Sequence, residues 1–383
     1  MINLFFLTLI VKLLMTPLVT GNNEGLYSIN EVILFFPDII FISICLYIYL
    51  KETDQKKNFL SRLIIFLVII VIISNLINNI SLIGSLQNLV RTLLPITLIY
   101  FLSFQKNKIN HEKLLILGIS LVIVINLLNF YAFINFSPEY NRGSKFLPSY
   151  FNGTHISSYL LLSTYFLTLI NYETSQKSLR FQIFIKIYTI FCIYMFMFGW
   201  GVRTILISFL LFHILYYLSI KNISDPFSNF LKIFITGLVL IVILIQTNII
   251  SLDNIDLVSS GRISMYYEKF SLIRNFSIIE VLLGKGFGSD LIFTDVWWWD
   301  TKGSHNDFIT FFFENGILFT VIFLITLSKL YKLLKDDLPK IIFLTIITTS
   351  LFSNGFIVRP MSMYVMVLVF LIYNNYNTIK ENA

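Results

Sequence analysis

A histidine stands among small polar residues at the start of a long apolar segment late in the chain. The stretch GSHNDFITFFFENGI contains His305, and the sequence after it stays largely apolar as far as Lys329. A neutral imidazole can accept a proton from a hydroxyl group, so histidine is the usual general base in enzymes. A histidine at a helix start can equally be a hydrogen-bonded residue without chemistry, and Ser304 or Asn306 would cap the same helix. We take His305 as a candidate catalytic residue.

Three polar residues after the histidine share one face of the predicted helix. Asp307, Thr310 and Glu314 recur at spacings of three and four residues, which places them above one another on a helix. Such a face could orient His305 or pair with arginine. We therefore add Glu314 to the candidate catalytic residues and predict that Asn306 and Asp307 position an acceptor.

Arginine is scarce in the chain, with eight residues against twenty lysines. The guanidinium group offers a planar fork of N–H donors that suits phosphate oxygens, and it keeps its charge in poor solvent. The alternative is that each arginine holds a helix end to lipid phosphate. Five arginines are candidate ligands of a lipid-linked diphosphate: Arg91, Arg142, Arg203, Arg262 and Arg359.

A glycine-rich stretch, LLGKGFGSD, precedes the histidine segment. Backbone N–H groups of such a loop can hold phosphate. No Lys-Ser or Lys-Thr pair follows it, as a nucleotide-binding loop would require. We therefore interpret Gly284, Gly286 and Gly288 as a tight turn that changes the direction of the chain. We predict that Gly286 positions the loop.

The composition is that of a membrane protein. Hydrophobic residues make up 56% of the 383 residues and charged residues only 13%, with a mean hydropathy of +0.80. Soluble domains contain about 25% charged residues. The net charge of +7 is therefore no argument for nucleic acid, which we exclude as a partner. The two cysteines, Cys45 and Cys192, form no CxxC motif and predict neither a disulfide framework nor a thiolate metal site.

Long apolar runs predict an all-α, polytopic integral membrane protein with about twelve transmembrane helices in a single domain over residues 1–383. We expect the first run to be a retained helix, and Lys12 within it to reach the interface or pair with an acid. The predicted spans are residues 2–20, 30–50, 59–80, 87–105, 114–134, 154–172, 182–199, 203–220, 230–250, 305–328, 339–357 and 361–377.

Lysines concentrate in the loops after the even-numbered spans, which places both termini in the cytoplasm. The long loop 251–304 is then on the outer side, and it contains a segment, RISMYYEKFSLIRNF, that predicts a short helix along the interface. Trp297, Trp298 and Trp299 suit an interfacial belt or sugar stacking. The five candidate arginines fall on this outer side, against the usual charge bias, and no DxD or HExxH motif occurs there, so we predict no metal and no cofactor.

Five stretches occur in a recognisable order: RGSKFLPSYFNGTHISSYLL, GVRTILISFLL, SGRISMY, LLGKGFGS and SHNDFITFFFENGI. In this order the chain resembles the O-antigen polymerase and O-antigen ligase superfamily of bacterial membrane glycosyltransferases. The resemblance covers the second half of the chain by motifs and the first half by hydropathy. Lys145 departs from the family pattern at a position where glycine is expected.

The resemblance implies a metal-independent, inverting glycosyl transfer at the periplasmic face of the inner membrane. The donor is an oligosaccharide on undecaprenyl diphosphate, the membrane supplies the lipid environment, and a chain-length regulator and a flippase are expected partners. Arg203 and Arg262 match the diphosphate-binding arginines of the family, and His305 matches its histidine.

Three other functions stay open. A ligase would transfer the glycan to a lipid A core, whereas a polymerase transfers it to another lipid-linked repeat unit, and the composition, which is typical of polysaccharide gene clusters, favours the polymerase. A flippase or ion-coupled transporter predicts buried charge pairs deep within many spans. A non-enzymatic assembly factor would not need outward arginines.

Overall fold

The computed structural model describes residues 1–16, 35–51, 58–104, 109–141, 144–151, 153–175, 178–221, 225–247, 249–259, 261–295, 301–353 and 355–381. Most of these residues lie in helices, and two short strands, β1 (Glu139–Asn141) and β2 (Ser144–Phe146), pair as an antiparallel hairpin. The predicted all-α class is confirmed. Trp297, Trp298 and Trp299, together with Arg142, lie outside the described residues.

The helices follow the apolar runs of the sequence. In chain order they are α1 (Ile2–Met15), α2 (Phe35–Lys51), α3 (Phe59–Ile77), α4 (Leu82–Thr92), α5 (Leu94–Ser103), α6 (His111–Asn135), α7 (Thr154–Thr174), α8 (Leu179–Tyr194), α9 (Arg203–Ile220), α10 (Pro226–Gln246), α11 (Leu252–Val258), α12 (Arg262–Ile273), α13 (Ile278–Leu283), α14 (Asp307–Leu333), α15 (Asp337–Phe352) and α16 (Pro360–Glu381).

Several of these helices are long and apolar enough to cross a membrane. Among the described residues six qualify, namely α3, α6, α8 with its π-helical extension, α9, α10 and α14, and the bent pair of α4 and α5 would make a seventh. The chain is therefore a polytopic membrane protein. Each of the twelve predicted segments overlaps a described helix, but the count of twelve spans and their orientation stay a prediction. The fourth segment is not straight, because α4 and α5 meet at 48°.

The described chain folds as two compact units. Unit 1 comprises Met1–Ser61, Val90–Phe209 and Arg359–Ala383, and unit 2 comprises Arg62–Leu89 and Leu210–Val358. The predicted single domain stays a prediction.

Helix α7 lies at the centre of unit 1, where it packs against α6, α8 and α16. It contains many serines and threonines that are nevertheless buried. Ser163 donates to the carbonyl of Tyr159 at 2.9 Å, and Thr168 donates to the carbonyl of Thr164 at 2.8 Å. Because their hydroxyls bond to the preceding helical turn, these residues can be buried without other partners. This explains how a helix of modest hydropathy occupies the core.

Lys12 of α1 pairs with an acid of α2, which is one of the two arrangements expected from the sequence. Its Nζ lies 2.6 Å from Oδ2 of Asp38, and both side chains are buried. The hydroxyl of Tyr364 in α16 donates to the other carboxylate oxygen at 2.7 Å. The carboxylate therefore has a partner on each oxygen, which ties α1, α2 and α16 together within unit 1.

Unit 2 is organised around α14, which packs against α13 and α15. The helix is interrupted at Gly316, whose backbone has φ 78° and ψ −179°. The break frees the carbonyls of Phe313 and Glu314, which accept the N–H groups of Lys285 at 2.8 Å and Gly286 at 3.0 Å. A Cβ atom on Gly316 would overlap the carbonyl of Leu282. Helices α13 and α14 thus meet backbone to backbone.

The buried ion pair in unit 1 predicts a strongly non-additive mutational response. Lys12→Met or Asp38→Asn alone leaves a buried partner uncompensated, which costs about 3–5 kcal/mol. The double variant Lys12→Met with Asp38→Asn should lose less than the sum of the two single changes. Thermal unfolding of the purified protein in detergent measures this. Lys51→Met, which removes an exposed lysine of α2, is the control and should leave the midpoint unchanged. Additive losses would contradict a paired arrangement.

The break at Gly316 predicts that alanine is poorly tolerated there. Its backbone conformation is essentially restricted to glycine, so Gly316→Ala should cost at least about 1–3 kcal/mol from strain alone. Gly237 in α10 is the matched control, since a Cβ there would meet nothing within 4 Å. Gly237→Ala should leave the unfolding midpoint unchanged or raise it slightly. Equal midpoints for both variants would show that α14 is continuous.

Candidate functional site

The candidate site lies in unit 2 and consists of Arg262, His305, Asn306 and Asp307. The first residue begins α12, and the other three enter α14. The end of α15 accepts hydrogen bonds from the side chains of Arg262 and Asn306. Residues of α11 and α12 support the start of α12 and the backbone of His305. The structure thereby brings together four of the residues that the sequence singled out.

Arg262 is positioned by an acid that caps its helix. Asp256 of α11 accepts the backbone N–H groups of Ile263 at 2.8 Å and Ser264 at 3.2 Å, and it also accepts the hydroxyl of Ser264. Partial burial acts to raise the pKa of Asp256, but the hydrogen bonds from Ser264 and Ile263 outweigh it and set that pKa below the usual value. The ionised cap fixes the first turn of α12, and with it Arg262.

The guanidinium group of Arg262 is only partly used by the protein. Its Nη1 donates to the carbonyl of Phe352 at the end of α15. Its Nε is buried and has no hydrogen-bond partner among the residues that the structure describes. A cation beside the carbonyl end of a helix is favourable. Arg262 therefore combines a fixed position with a donor that a ligand oxygen could take.

His305 has a left-handed backbone, with φ 48°. Histidine tolerates this region better than most residues. Its carbonyl accepts the hydroxyl of Tyr266, one turn beyond Arg262 on α12, at 3.4 Å. The side chain is half-buried. The turn at His305 thus joins the loop to α14 and lies against the helix that contains Arg262.

Asn306 and Asp307 form hydrogen bonds with residues at and just beyond the end of α15. Asn306 caps α14 through its side-chain oxygen, which accepts the N–H groups of Phe308 and Ile309, and its Nδ2 donates to the carbonyl of Leu351 at 2.7 Å. Asp307 is buried and accepts the N–H of Gly355 at 2.9 Å. Since Leu351 and Phe352 are consecutive, Asn306 and Arg262 donate to adjacent carbonyls.

A buried lysine that sequence reasoning missed supports this arrangement. We define the lysine cluster as Lys269, Asp290, Ser304 and Thr310. The Nζ of Lys269 lies 2.8 Å from Oδ1 of Asp290 and also donates to the carbonyls of Asp290 and Lys302 and to the hydroxyl of Ser304. Burial lowers the pKa of Lys269, although the Asp290 carboxylate opposes that shift.

The acid of the lysine cluster holds both sides of the histidine turn. Asp290 accepts the N–H of Ser304 at 2.7 Å and the hydroxyl of Thr310 at 2.7 Å through Oδ2, and the hydroxyl of Ser304 through Oδ1. The sequence placed Lys269 on a helix along the interface, where a lysine is ordinarily exposed. The sequence signal for its burial was its spacing of four residues from the apolar Met265, which shares its face of α12 and is buried.

The glycine-rich stretch is occupied by internal contacts. The N–H of Gly288 donates to the carboxylate of Glu314 at 3.0 Å, and the N–H of Phe287 donates to the side chain of Asn75 in α3 at 3.1 Å. With Gly286 bonded to the carbonyl of Glu314, three consecutive N–H groups have protein acceptors. Glu314 is buried, and its contact with Gly288 positions the glycine-rich stretch, whereas its predicted catalytic role stays a prediction.

The remaining candidate arginines belong to unit 1. Arg91 is half-buried near the end of α4, and Arg203 is exposed at the start of α9. Arg359 precedes α16 and lies with its guanidinium carbon 4.8 Å from the ring centre of Tyr159, a cation–π contact. Their predicted role as diphosphate ligands stays a prediction, as does that of Arg142.

The described part of the chain contains no group of three or more histidine, cysteine, aspartate or glutamate side chains that could hold a metal ion. Neither a protein-family model nor a curated protein sequence matches the chain.

The lysine cluster predicts a local loss of order when either charge is removed. Lys269→Met or Asp290→Asn leaves a buried polar partner uncompensated, at a cost of about 3–5 kcal/mol. Hydrogen exchange should show faster exchange of the Ser304 amide, by roughly a hundredfold or more. Lys285→Met is the control, because Lys285 pairs with Glu280 in a partly exposed ion pair of 3.4 Å. Such a pair contributes about 0–1 kcal/mol. Unchanged protection at Ser304 in both cluster variants would show that the cluster does not hold the turn.

Proposed function

We propose that the chain is an O-antigen (surface polysaccharide) polymerase, an inverting, metal-independent glycosyltransferase. It joins oligosaccharide repeat units carried on undecaprenyl diphosphate, at the periplasmic face of a bacterial inner membrane. The resemblance described above supplies the reaction class. The observation that carries the proposal is that Arg262, whose Nε–H has no hydrogen-bond partner among the described residues, and the His305 turn lie together near the end of α15.

The proposed reaction uses His305 on the attacking hydroxyl and Arg262 on the leaving diphosphate. A hydroxyl of the acceptor sugar attacks the anomeric carbon of the donor, and the bond from that carbon to the lipid diphosphate breaks. His305 takes the proton of the hydroxyl. Arg262 stabilises the negative charge that develops on the leaving diphosphate through charge-assisted hydrogen bonds. Inversion follows from attack on the face opposite the leaving group.

The other predicted residues complete the proposal. Asn306 and Asp307 position the acceptor by fixing the histidine turn, and Glu314 and Gly286 hold the neighbouring loop. The remaining arginines contribute further diphosphate contacts: Arg91, Arg142, Arg203 and Arg359. Twelve spans with both termini in the cytoplasm would place loop 251–304 in the periplasm. A chain-length regulator and a flippase are the expected partners.

An O-antigen ligase is the nearest alternative, since it would use the same donor and differ only in its acceptor. A polysaccharide flippase is the alternative of another class. The buried Lys12–Asp38 pair is the kind of feature that a transporter predicts, but the transporter prediction required such pairs in many spans. The three functions give different products in cells, which makes them separable by one assay.

The proposal predicts a specific lipopolysaccharide phenotype. Cells lacking the gene should carry a core with a single repeat unit, and the wild-type gene should restore the full ladder on a gel. His305→Ala should reduce polymer by roughly a hundredfold or more, because general base catalysis contributes about 10²–10⁴-fold. Arg262→Ala should have an effect of similar size, because one charge-stabilising group contributes about 10²–10³-fold.

Two controls separate chemistry from folding in this assay. Arg274→Ala removes an exposed arginine one residue beyond α12 and should leave the ladder intact. Arg262→Lys keeps the positive charge but loses the planar fork, and it should restore activity only in part. Each variant is compared at equal membrane abundance. Bare core with accumulated lipid-linked polymer in the deletion would identify a ligase, and repeat units retained on the cytoplasmic side would identify a flippase. A full ladder from His305→Ala would exclude the histidine as a catalytic residue.

A further inference from the structure

Unit 1 contains a groove of about 580 Å³ that is separate from the candidate site. It lies between α6, α7 and α8, and its walls are largely apolar and aromatic. Its volume falls within the range of pockets that bind small ligands, roughly 300–1,000 Å³. Since α6 and α8 are both long and apolar enough to cross a membrane, the groove lies at membrane depth. The lining residues used below are Asn126, Asn129, Phe130, Phe133, Met195 and Trp200.

One wall of the groove is built by a π-helical turn. Helix α8 continues from Met195 to Gly199 with the wider π geometry. A Cβ atom on Gly199 would come within 2.7 Å of the sulfur of Met195, so a larger residue there would displace the end of the Met195 side chain. The carbonyl of Gly199 accepts the N–H of Leu147 at 2.8 Å, and the indole of Trp200 is buried. The wall is therefore fixed by backbone contacts, and π turns of this kind are frequent at functional sites.

A single buried amide in this groove lacks a hydrogen-bond partner. Asn129 is 4% exposed and lines the groove. Its Oδ1 accepts the hydroxyl of Ser157 at 3.4 Å, and that hydroxyl lies 2.6 Å from the hydroxyl of Ser149. Its Nδ2 has no partner among the described residues. Asn126, one turn earlier, differs, because its Nδ2 donates to both the carbonyl of Val122 and the hydroxyl of Tyr188.

An unpaired amide donor in hydrocarbon is costly, because no water is present to accept its hydrogen bond. The hydrocarbon tails of bulk lipid, or of an isoprenoid, carry no acceptor either. The occupant that fits the groove therefore needs an apolar chain with one oxygen acceptor along it. This combination is the chemistry of an acyl chain joined through an ester.

The depth of Asn129 agrees with an ester group. Helix α6 has 25 residues, which gives a length of about 37 Å at 1.5 Å per residue. The hydrocarbon core is about 30 Å thick, so a centred helix extends roughly 4 Å beyond it at each end. Asn129 lies roughly 9 Å before the last residue, Asn135. It then lies roughly 5 Å inside the edge of the hydrocarbon core, near the depth at which the ester groups of glycerolipids are found.

We propose that this groove binds one acyl chain of a membrane glycerophospholipid, with the ester carbonyl accepting a hydrogen bond from Nδ2 of Asn129. Phe130, Phe133 and Met195 contact the methylene groups. The bound chain supports the π turn and Trp200, three residues before Arg203. The site is a lipid site of unit 1 and does not depend on the proposed glycosyltransferase activity.

Trp200 makes the proposal testable by fluorescence. The full chain has four tryptophans, and replacing Trp297, Trp298 and Trp299 with phenylalanine leaves Trp200 as the reporter. A lipid with bromine on its acyl chain quenches the indole when that chain enters the groove. The purified protein in detergent micelles is titrated with a brominated diester phosphatidylethanolamine and with its diether analogue, which has the same chains and headgroup but no ester carbonyl. We expect half-maximal quenching at about fivefold lower concentration for the diester, the effect of one hydrogen bond.

Variants assign that preference to one side chain. Asn129→Leu should bind both lipids at the same concentration, whereas Asn135→Leu, which changes an exposed asparagine of the same helix, should keep the fivefold preference. Equal affinity for diester and diether lipid in the unsubstituted protein would overturn the proposal, and this comparison does not rely on any substitution in α6. A preference retained in Asn129→Leu would also overturn it. Displacement of the diester lipid by a long-chain polyprenol at lower concentration than by unbrominated diester lipid would identify the groove as an isoprenoid site instead.

Discussion

Hydrogen-bond satisfaction of buried polar groups is the constraint on which the described helices depend. Within a membrane a polar side chain is not solvated by water, so its partner has to come from the protein or from a bound lipid. Lys12 and Asp38 meet this requirement as a pair, with Tyr364 on the second carboxylate oxygen. Helix α7 meets it differently, since Ser163 bonds to its own preceding turn. The ion pair joins separate helices, and the hydroxyl bonds within α7 let that helix be buried by its neighbours on most sides.

The same constraint determines how the candidate site is built. Asp290 is buried with bonds to Lys269, Ser304 and Thr310, and these contacts hold the residues on both sides of His305. The end of α15 supplies the second support, because its last carbonyls accept Asn306 and Arg262. The turn is therefore held at two places by bonds that would be weak in water and are strong where water is excluded. In the proposed reaction, this rigid support places the proton acceptor with little reorganisation.

The class of protein was predictable from the sequence because apolar length is a one-dimensional signal. The helix positions followed from the same runs, whereas the 48° bend between α4 and α5 did not, since hydropathy does not record direction. The break at Gly316 was hidden for a related reason: one glycine within an apolar run reads as a weak helix residue, and its contact with Leu282 depends on tertiary packing. The pairing of Lys269 with Asp290 joins a residue of α12 to a residue of the turn that follows α13, and nothing in their local sequence distinguishes them from surface charges.

Lys269 and Arg262, both in unit 2, differ in how many of their N–H donors the protein already uses. The ammonium group of Lys269 has three N–H donors and faces acceptors from Asp290, Lys302 and Ser304, so it is saturated by the protein. The guanidinium of Arg262 has five donors in a rigid fork, of which one is directed to Phe352 and Nε–H has no partner among the described residues. A lysine at position 262 that made the same carbonyl contact would have fewer donors left and no planar fork for two phosphate oxygens. The fork therefore lets Arg262 bond to the backbone of α15 and, in the proposed function, to a diphosphate as well.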